Sequence, residues 1–228
     1  GTPVHCTGLL GLEAFEEFNL PKSIVLGQAG AARFWGAAGQ SVGIHSDRVQ
    51  AAVIDRVMLD AWLAEQAVAA GAEVRAGWRA EAIQVGPDRV IVTGRSGEGA
   101  VEARACVLAC GANYRFHREL GLGMPDVFLQ SAQLETAFPE MPEVEVRFGR
   151  DVAPGGFAWL VPFKRGAEPY VRVGLMGESR SAERFAAFFA SLCARMNVPV
   201  DPLRAPRLKM LPLGPVPRRA GYRLAEAL

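Results

Sequence analysis

The residues able to do chemistry in this chain are few. Four cysteines, Cys6, Cys106, Cys110 and Cys193, offer thiols without the tight spacing of a metal site, so no metal is expected. Cys106 and Cys110 stand four apart. On one strand face they would be about 13 Å apart, too far for a disulfide, which needs Cα atoms within about 7 Å. Such cysteine usage fits a reduced, cytosolic protein. Gly39-Gln40-Ser41-Val42-Gly43 has the G-x-S-x-G form of a nucleophile elbow, with His45 and Asp47 close by. An elbow needs a strand before the serine and a helix after it. Residues 42–47 read as extended or turned, and no oxyanion-hole loop precedes them. A hairpin with glycines at its turn is the better reading. Phe157 and Trp159, two apart on a strand, share one face. They can line an apolar slot, or serve simply as core.

The elements that must position these groups centre on residues 49–74, read as an extended lead-in, a helix, a turn and a strand. Val57, Leu59, Leu63, Ala67 and Ala70 recur at helical steps and predict one apolar face. Asp55 sits where an N-cap belongs, and Gly71 stops the helix before an extended run from Glu73. Helix then strand reads as half of a βαβ unit. Three apolar runs follow, at residues 73–85, 89–94 and 101–109, separated by Gly86-Pro87-Asp88 and Ser96-Gly97-Glu98-Gly99. They predict a β-meander ending in a strand, Ala105 to Cys110, apolar at every position and therefore expected to be buried. From Val127 the strands lengthen and alternate, which predicts an antiparallel sheet with one wet and one buried face. Phe185, Phe188, Phe189, Leu192 and Met196 predict an amphipathic helix packed on it, and residues 207–214 a last strand.

Composition narrows the class. Of 228 residues, 50% are hydrophobic, which excludes a disordered chain, and the net charge of +1 with interspersed signs argues against a nucleic-acid surface. No run of about 18 apolar residues suggests a membrane span.

Asp55-Arg56-x-x-Leu59-Asp60-x-x-Leu63, followed by Ala70-Gly71-Ala72, resembles a block of FAD-dependent oxidoreductases with the p-hydroxybenzoate hydroxylase fold. Ala109-Cys110-Gly111 resembles their cofactor-facing turn, with Cys110 in place of the usual Thr or Asp. Gly156-Phe157-Ala158-Trp159-Leu160-Val161-Pro162 resembles the aromatic-x-Trp-x-aromatic-Pro motif of the geranylgeranyl reductase branch, departing at Val161. Cys6-Thr7 resembles the start of that branch's cysteine segment, departing at Leu9.

What the resemblance implies is specific. The fold would be mixed α/β and α+β: a partial FAD-binding Rossmann-like domain with a β-meander, over residues 1–20 and 48–124, and an antiparallel substrate sheet covered by a helix, over 21–47 and 125–214. Residues 215–228 would return toward the FAD-binding part. The usual G-x-G-x-x-G opening and late Gly-Asp motif are missing, which leads us to expect a chain truncated at both ends. The cofactor would be FAD, contacted by Cys6, Thr7, Arg56, Ala80, Ala109, Cys110 and Gly111. Cys6 would be the catalytic proton donor or would tune the flavin, although a small buried thiol is the plainer reading. Phe157, Trp159 and Pro162 would hold a prenyl-lipid substrate. Electrons would come from ferredoxin or NAD(P)H, and a lipid substrate makes peripheral membrane contact of a cytoplasmic protein reasonable. A flavin monooxygenase of the same fold and a non-catalytic lipid-binding module are the alternatives.

Overall fold

The computed structural model describes residues 5–201 and 204–213. Chain order runs β1 (Leu9–Gly11), α1 (Glu13–Glu17), a 3-10 turn (Lys22–Ile24), β2 (Val25–Ala29), β3 (Ala31–Trp35), β4 (Ser41–His45), β5 (Ala51–Ile54) and α2 (Arg56–Ala69). It continues through β6 (Ala80–Val85), β7 (Val90–Gly94), β8 (Ala100–Ala103), α3 (Arg115–Glu119), β9 (Val127–Ala137), β10 (Val144–Arg147), β11 (Phe157–Arg165), β12 (Glu168–Gly177), α4 (Ser181–Arg195) and β13 (Arg207–Leu213). Described residues 5–66 and 129–211 form one compact unit, and residues 67–128 with 212–213 form the other. This division falls at other points than the domain limits expected from the sequence, since residues 5–20 and 48–66 join the unit of the large sheet.

That unit is built on a seven-stranded sheet in the order β13-β9-β12-β11-β10-β3-β4. β9, β12, β11 and β10 alternate in direction, but β10 and β3 pair in parallel, with Val144 opposite Ala32. The expected antiparallel sheet is thus mixed. Its parallel joint arises because the β3–β4 hairpin, made early in the chain, is added beside a strand made late. On one face α4 lays Phe185, Phe189 and Leu192 onto Ala158, Leu160, Val171, Val173 and Leu175. On the other, Trp159, Val161 and Phe163 meet Val53 of β5 and Leu26 of β2, in a three-stranded sheet ordered β1-β5-β2. The hairpin joins Trp35 to Ser41 across a turn at Gly36 to Gln40, with Gly39 at φ +81°. Ser41 therefore opens a strand, and no helix follows it, so the elbow geometry is absent.

Asp55 caps α2 as expected, its Oδ1 accepting the amides of Val57 (2.9 Å) and Met58 (3.2 Å). The apolar face of α2 is not the expected one. Leu59 is buried and Trp62 packs beside Ile24 and Ile54, whereas Val57 and Leu63 are exposed. Only the side of the helix that overlies β5 finds a surface to bury against.

The second unit is the meander β6-β7-β8, antiparallel throughout. Here the five residues of β7 set the limits. Gly94 pairs with Ala80 and Val90 with Ala103, so neither neighbour can extend the ladder further. Residues 73–78 and 105–110, both expected as strand, are therefore irregular. The run from Ala105 to Cys110 is not buried: Val107 is 88% exposed, because no described strand pairs with it. Among the described residues, no helix is long and apolar enough to cross a membrane and no cluster of three metal-ligating side chains occurs.

Candidate functional site

Arg56 opens α2, held in place by the Asp55 cap, and from there its guanidinium reaches two partners. Nη2 donates to Asp60 Oδ1 one helical turn on (2.9 Å), and Nη1 lies 3.9 Å from Cys6 Sγ. The structure thus brings together Cys6, Thr7 and Arg56, three residues singled out from the sequence. The bond to Asp60 raises the Arg56 pKa further above its ordinary value, with a smaller contribution from Cys6. The guanidinium is therefore a fixed cation beside the sulfur. Its Nε is buried and has no hydrogen-bond partner among the described residues.

The loop carrying Cys6 is tied down by several hydrogen bonds. The Gly8 amide donates to Cys6 Sγ (3.4 Å), and Gly8 O accepts from the Ile54 amide (2.8 Å). Gln133 Nε2 donates to Cys6 O (3.1 Å), and Arg172 Nη1 donates to Thr7 O (2.9 Å). Beside it, Ser131 gives its hydroxyl proton to Leu175 O (3.0 Å), so its oxygen accepts from His5 Nε2 (2.9 Å). Burial, then Lys209 and Arg207, lower the His5 pKa and keep the ring neutral.

This loop lies over the sheet face opposite α4. Cross-strand rows on that face run from polar to apolar. Ser131 stands beside Met176, and Met176 beside Phe157. The next row runs Gln133, Gly174, Trp159, Val146, Phe34, Val42. Phe157 and Trp159 share this face as expected, with ring centroids 5.9 Å apart and edge to face. Trp159 is buried, and its ring lies over Gly174, where a Cβ would come within 2.4 Å of it. Phe157 is half-buried and also meets Phe148 at 6.0 Å. Pro162 falls on the opposite parity from these two aromatics and lines a separate cavity of about 220 Å³ with Leu26, Phe163 and Tyr170.

The face expected to be wet is not. Ser131, Gln133 and Arg172, the polar positions of β9 and β12, are 0%, 5% and 3% exposed. Ser131 donates to Leu175 O of the neighbouring strand, Gln133 to Cys6 O of the loop above, and Arg172 to Thr7 O of that loop and Ile54 O of β5. Sequence reasoning passed over these three, with His5 and Glu135. The available signal was the polar residue at every second position of β9, which a buried polar face and a solvent face share.

The remaining sequence-predicted residues belong to the second unit. Ala80 opens β6 beside a bulge between Ala80 and Ala82, where Glu81 O accepts from Arg115 Nη2 (2.6 Å). Ala109, Cys110 and Gly111 are exposed. Gly111 has φ +61° and nothing within 4 Å of where a Cβ would stand.

No family model matches the chain. It is 26% identical over 203 residues to a digeranylgeranylglycerophospholipid reductase of Methanocaldococcus jannaschii, covering 83% of this chain and 50% of that protein. A protein of the same description from Methanosarcina acetivorans is 32% identical over 138 residues, 55% of this chain and 32% of the relative. The chain spans about half the length of the relatives it matches most fully. Among solved structures, a geranylgeranyl bacteriochlorophyll reductase-like protein from Thermoplasma acidophilum aligns with a TM-score of 0.73 at 20% identity, over 92% of this chain and 56% of that one. The halogenase PltM, solved with phloroglucinol and FAD, aligns at 0.61 and 16%, over 89% and 46%. The chain shares their fold, and in sequence it is a relative of the geranylgeranyl reductases, the group its own motifs resemble.

Proposed function

We propose that this chain forms part of an FAD-dependent oxidoreductase that reduces C=C bonds of a prenyl lipid. The observation that carries the reading is the Cys6 thiol beside the Arg56 guanidinium, on a loop laid over a sheet face that turns from polar to aromatic. The residues fit a flavin dinucleotide in two respects. Arg56 keeps a buried donor, Nε, for a phosphate or ribose oxygen. Gly111 leaves open space at a left-handed backbone position, where a bulky group can approach closely. Ala80, Ala109 and Cys110 are proposed as further FAD contacts on the sequence resemblance alone.

When bound and reduced, FAD would supply the hydride chemistry for an alkene carbon. Cys6 would give its proton to the other carbon, and Arg56 would balance the charge left on sulfur. The ladder of Phe157, Trp159, Val146 and Phe34 would hold the prenyl chain by apolar contact and keep water away. Ferredoxin or NAD(P)H would supply the electrons, and the lipid would bring the protein to a membrane surface. FAD binding is proposed for residues 1–20 and 48–124 and lipid binding for residues 21–47 and 125–214.

The test is the visible spectrum of the purified full-length gene product, followed by anaerobic reoxidation with a geranylgeranyl lipid. A flavin spectrum that bleaches on reduction and returns with lipid supports the reading. Oxygen consumption on adding substrate would instead favour a monooxygenase of the same fold. A protein that stays colourless with added FAD, yet retains lipid, would leave a binding module.

A further inference from the structure

We propose that Arg172, tied to Glu135, is the positioning residue that sets the Cys6 thiol against Arg56; this rests on Cys6 being the reactive thiol. Arg172 is a buried cation, 3% exposed, in the middle of β12. Nε donates to Glu135 Oε2 at 2.8 Å. Nη1 donates to two backbone carbonyls, Thr7 O at 2.9 Å and Ile54 O at 3.0 Å. The guanidinium plane is held from one side by the Phe163 ring, 4.6 Å from its centroid. The two carbonyls belong to the two segments that matter. Thr7 follows Cys6, and Ile54 stands two residues before Arg56. One rigid fork therefore fixes the spacing between the loop that carries the thiol and the strand that leads to the guanidinium.

Gly8 makes that fork possible. A Cβ there would lie 2.1 Å from Arg172 Nη1 and 2.7 Å from Ile54 O, and its φ of +73° already disfavours any other residue. The second carboxylate oxygen of Glu135 is held by Arg165, whose Nε lies 2.7 Å away. Arg165 in turn reaches Asp55 Oδ2 at 3.1 Å, the cap of the helix that Arg56 opens. Both ends of the 3.9 Å contact between Cys6 and Arg56 thus run back to Glu135. A buried ion pair contributes little net stability over a well-packed apolar pair. What this one supplies is direction, since a lysine at 172 could serve the two carbonyls with one ammonium but could not also present a second nitrogen to Glu135 and a plane to Phe163 in fixed geometry.

The experiment uses the full-length gene product and three variants, Arg172→Lys, Arg172→Met and Gly8→Ala, the last pressing on the same contact from the loop side. Alkylation by iodoacetamide is followed at each cysteine by peptide mass spectrometry, with thermal unfolding and the flavin spectrum recorded alongside. All three variants should change the Cys6 rate by about tenfold or more, because sub-ångström placement governs both access and charge balance at a thiol. Cys106 and Cys110, exposed in the second unit, should keep their rates. Turnover should fall in kcat with little change in KM. A purely structural role would instead lower the melting temperature and speed alkylation of the buried Cys193 without singling out Cys6, and that result overturns the proposal. So does an unchanged Cys6 rate in folded Arg172→Lys and Gly8→Ala proteins, which decide the matter should Arg172→Met fail to fold. Absence of flavin from the wild-type protein would sink the oxidoreductase reading alone, since the alkylation comparison needs no cofactor.

Discussion

Arg172 and Val107 occupy each other's expected places. The guanidinium, in the middle of β12, is 3% exposed, while the valine, in a run apolar at every position, is 88% exposed. Each is explained by what the surrounding backbone offers. Around Arg172, three segments converge and present Thr7 O, Ile54 O and the Glu135 carboxylate, so the buried cation finds acceptors within the protein. Around Val107 the ladder has already ended, because Val90 pairs with Ala103 and β7 has no residue before Val90 to pair with the residues that follow. Burial in this molecule follows the supply of partners first and hydropathy second.

Four measurements would break or sharpen that contrast, in order of expected size. Arg172→Ala should destabilise the protein by about 2–4 kcal/mol in denaturant unfolding, because it leaves two buried carbonyls without their donor, while Glu135, 30% exposed, keeps Arg165. A loss under 1 kcal/mol would mean that water already satisfies those groups. Asp55→Ala should cost about 1 kcal/mol through the lost cap of α2. Burial of Asp55 tends to raise its pKa, but the Met58 amide, Arg165 and the Val57 amide outweigh it, leaving the carboxyl below its ordinary value. Its folded pKa is depressed, so its contribution is present above the ordinary carboxylate range and is lost as pH falls through the lower folded value. Unfolding curves at descending acid pH should therefore converge for wild type and Asp55→Ala. Arg165→Ala, at a pair whose arginine is 40% exposed, should cost at most about 1 kcal/mol and less at high salt. Val107→Ser should change stability by under about 0.5 kcal/mol, and a larger loss would show that the valine is covered after all.

Much of this architecture was legible because local chemistry and long-range packing agreed. Asp55 announced the start of α2, Gly36 to Gln40 announced a hairpin, and the spacing of Phe185, Phe189 and Leu192 announced the face of α4 that covers the sheet. The site was legible in its parts: Cys6, Arg56, Phe157 and Trp159 were named from motifs, and the structure adds that Cys6 meets Arg56 and that the two aromatics meet each other. Arg172 escaped notice because alternation tells which residues share a face and is silent on whether that face meets water or carbonyl groups. The exposed face of α2 escaped for a related reason. Helical spacing offered Val57 and Leu63 as equals of Leu59, and only the position of β5 chose between them. Nothing local could foretell that β3 would pair in parallel with a strand so distant in sequence.

That pairing also orders events at the ribosome. Ala32 waits for Val144, about 110 residues later, before the free edge of β3 is closed. The entire meander is made in the interval. At ordinary synthesis rates of about 5–20 residues per second, the nascent hairpin spends on the order of 5–20 s with an unpaired strand edge. It carries Val42 and Ile44 through that wait, still 64% and 57% exposed once folding is complete. The parallel joint thus leaves the early hairpin with an open strand edge, a site for wrong pairing, until the late strand arrives.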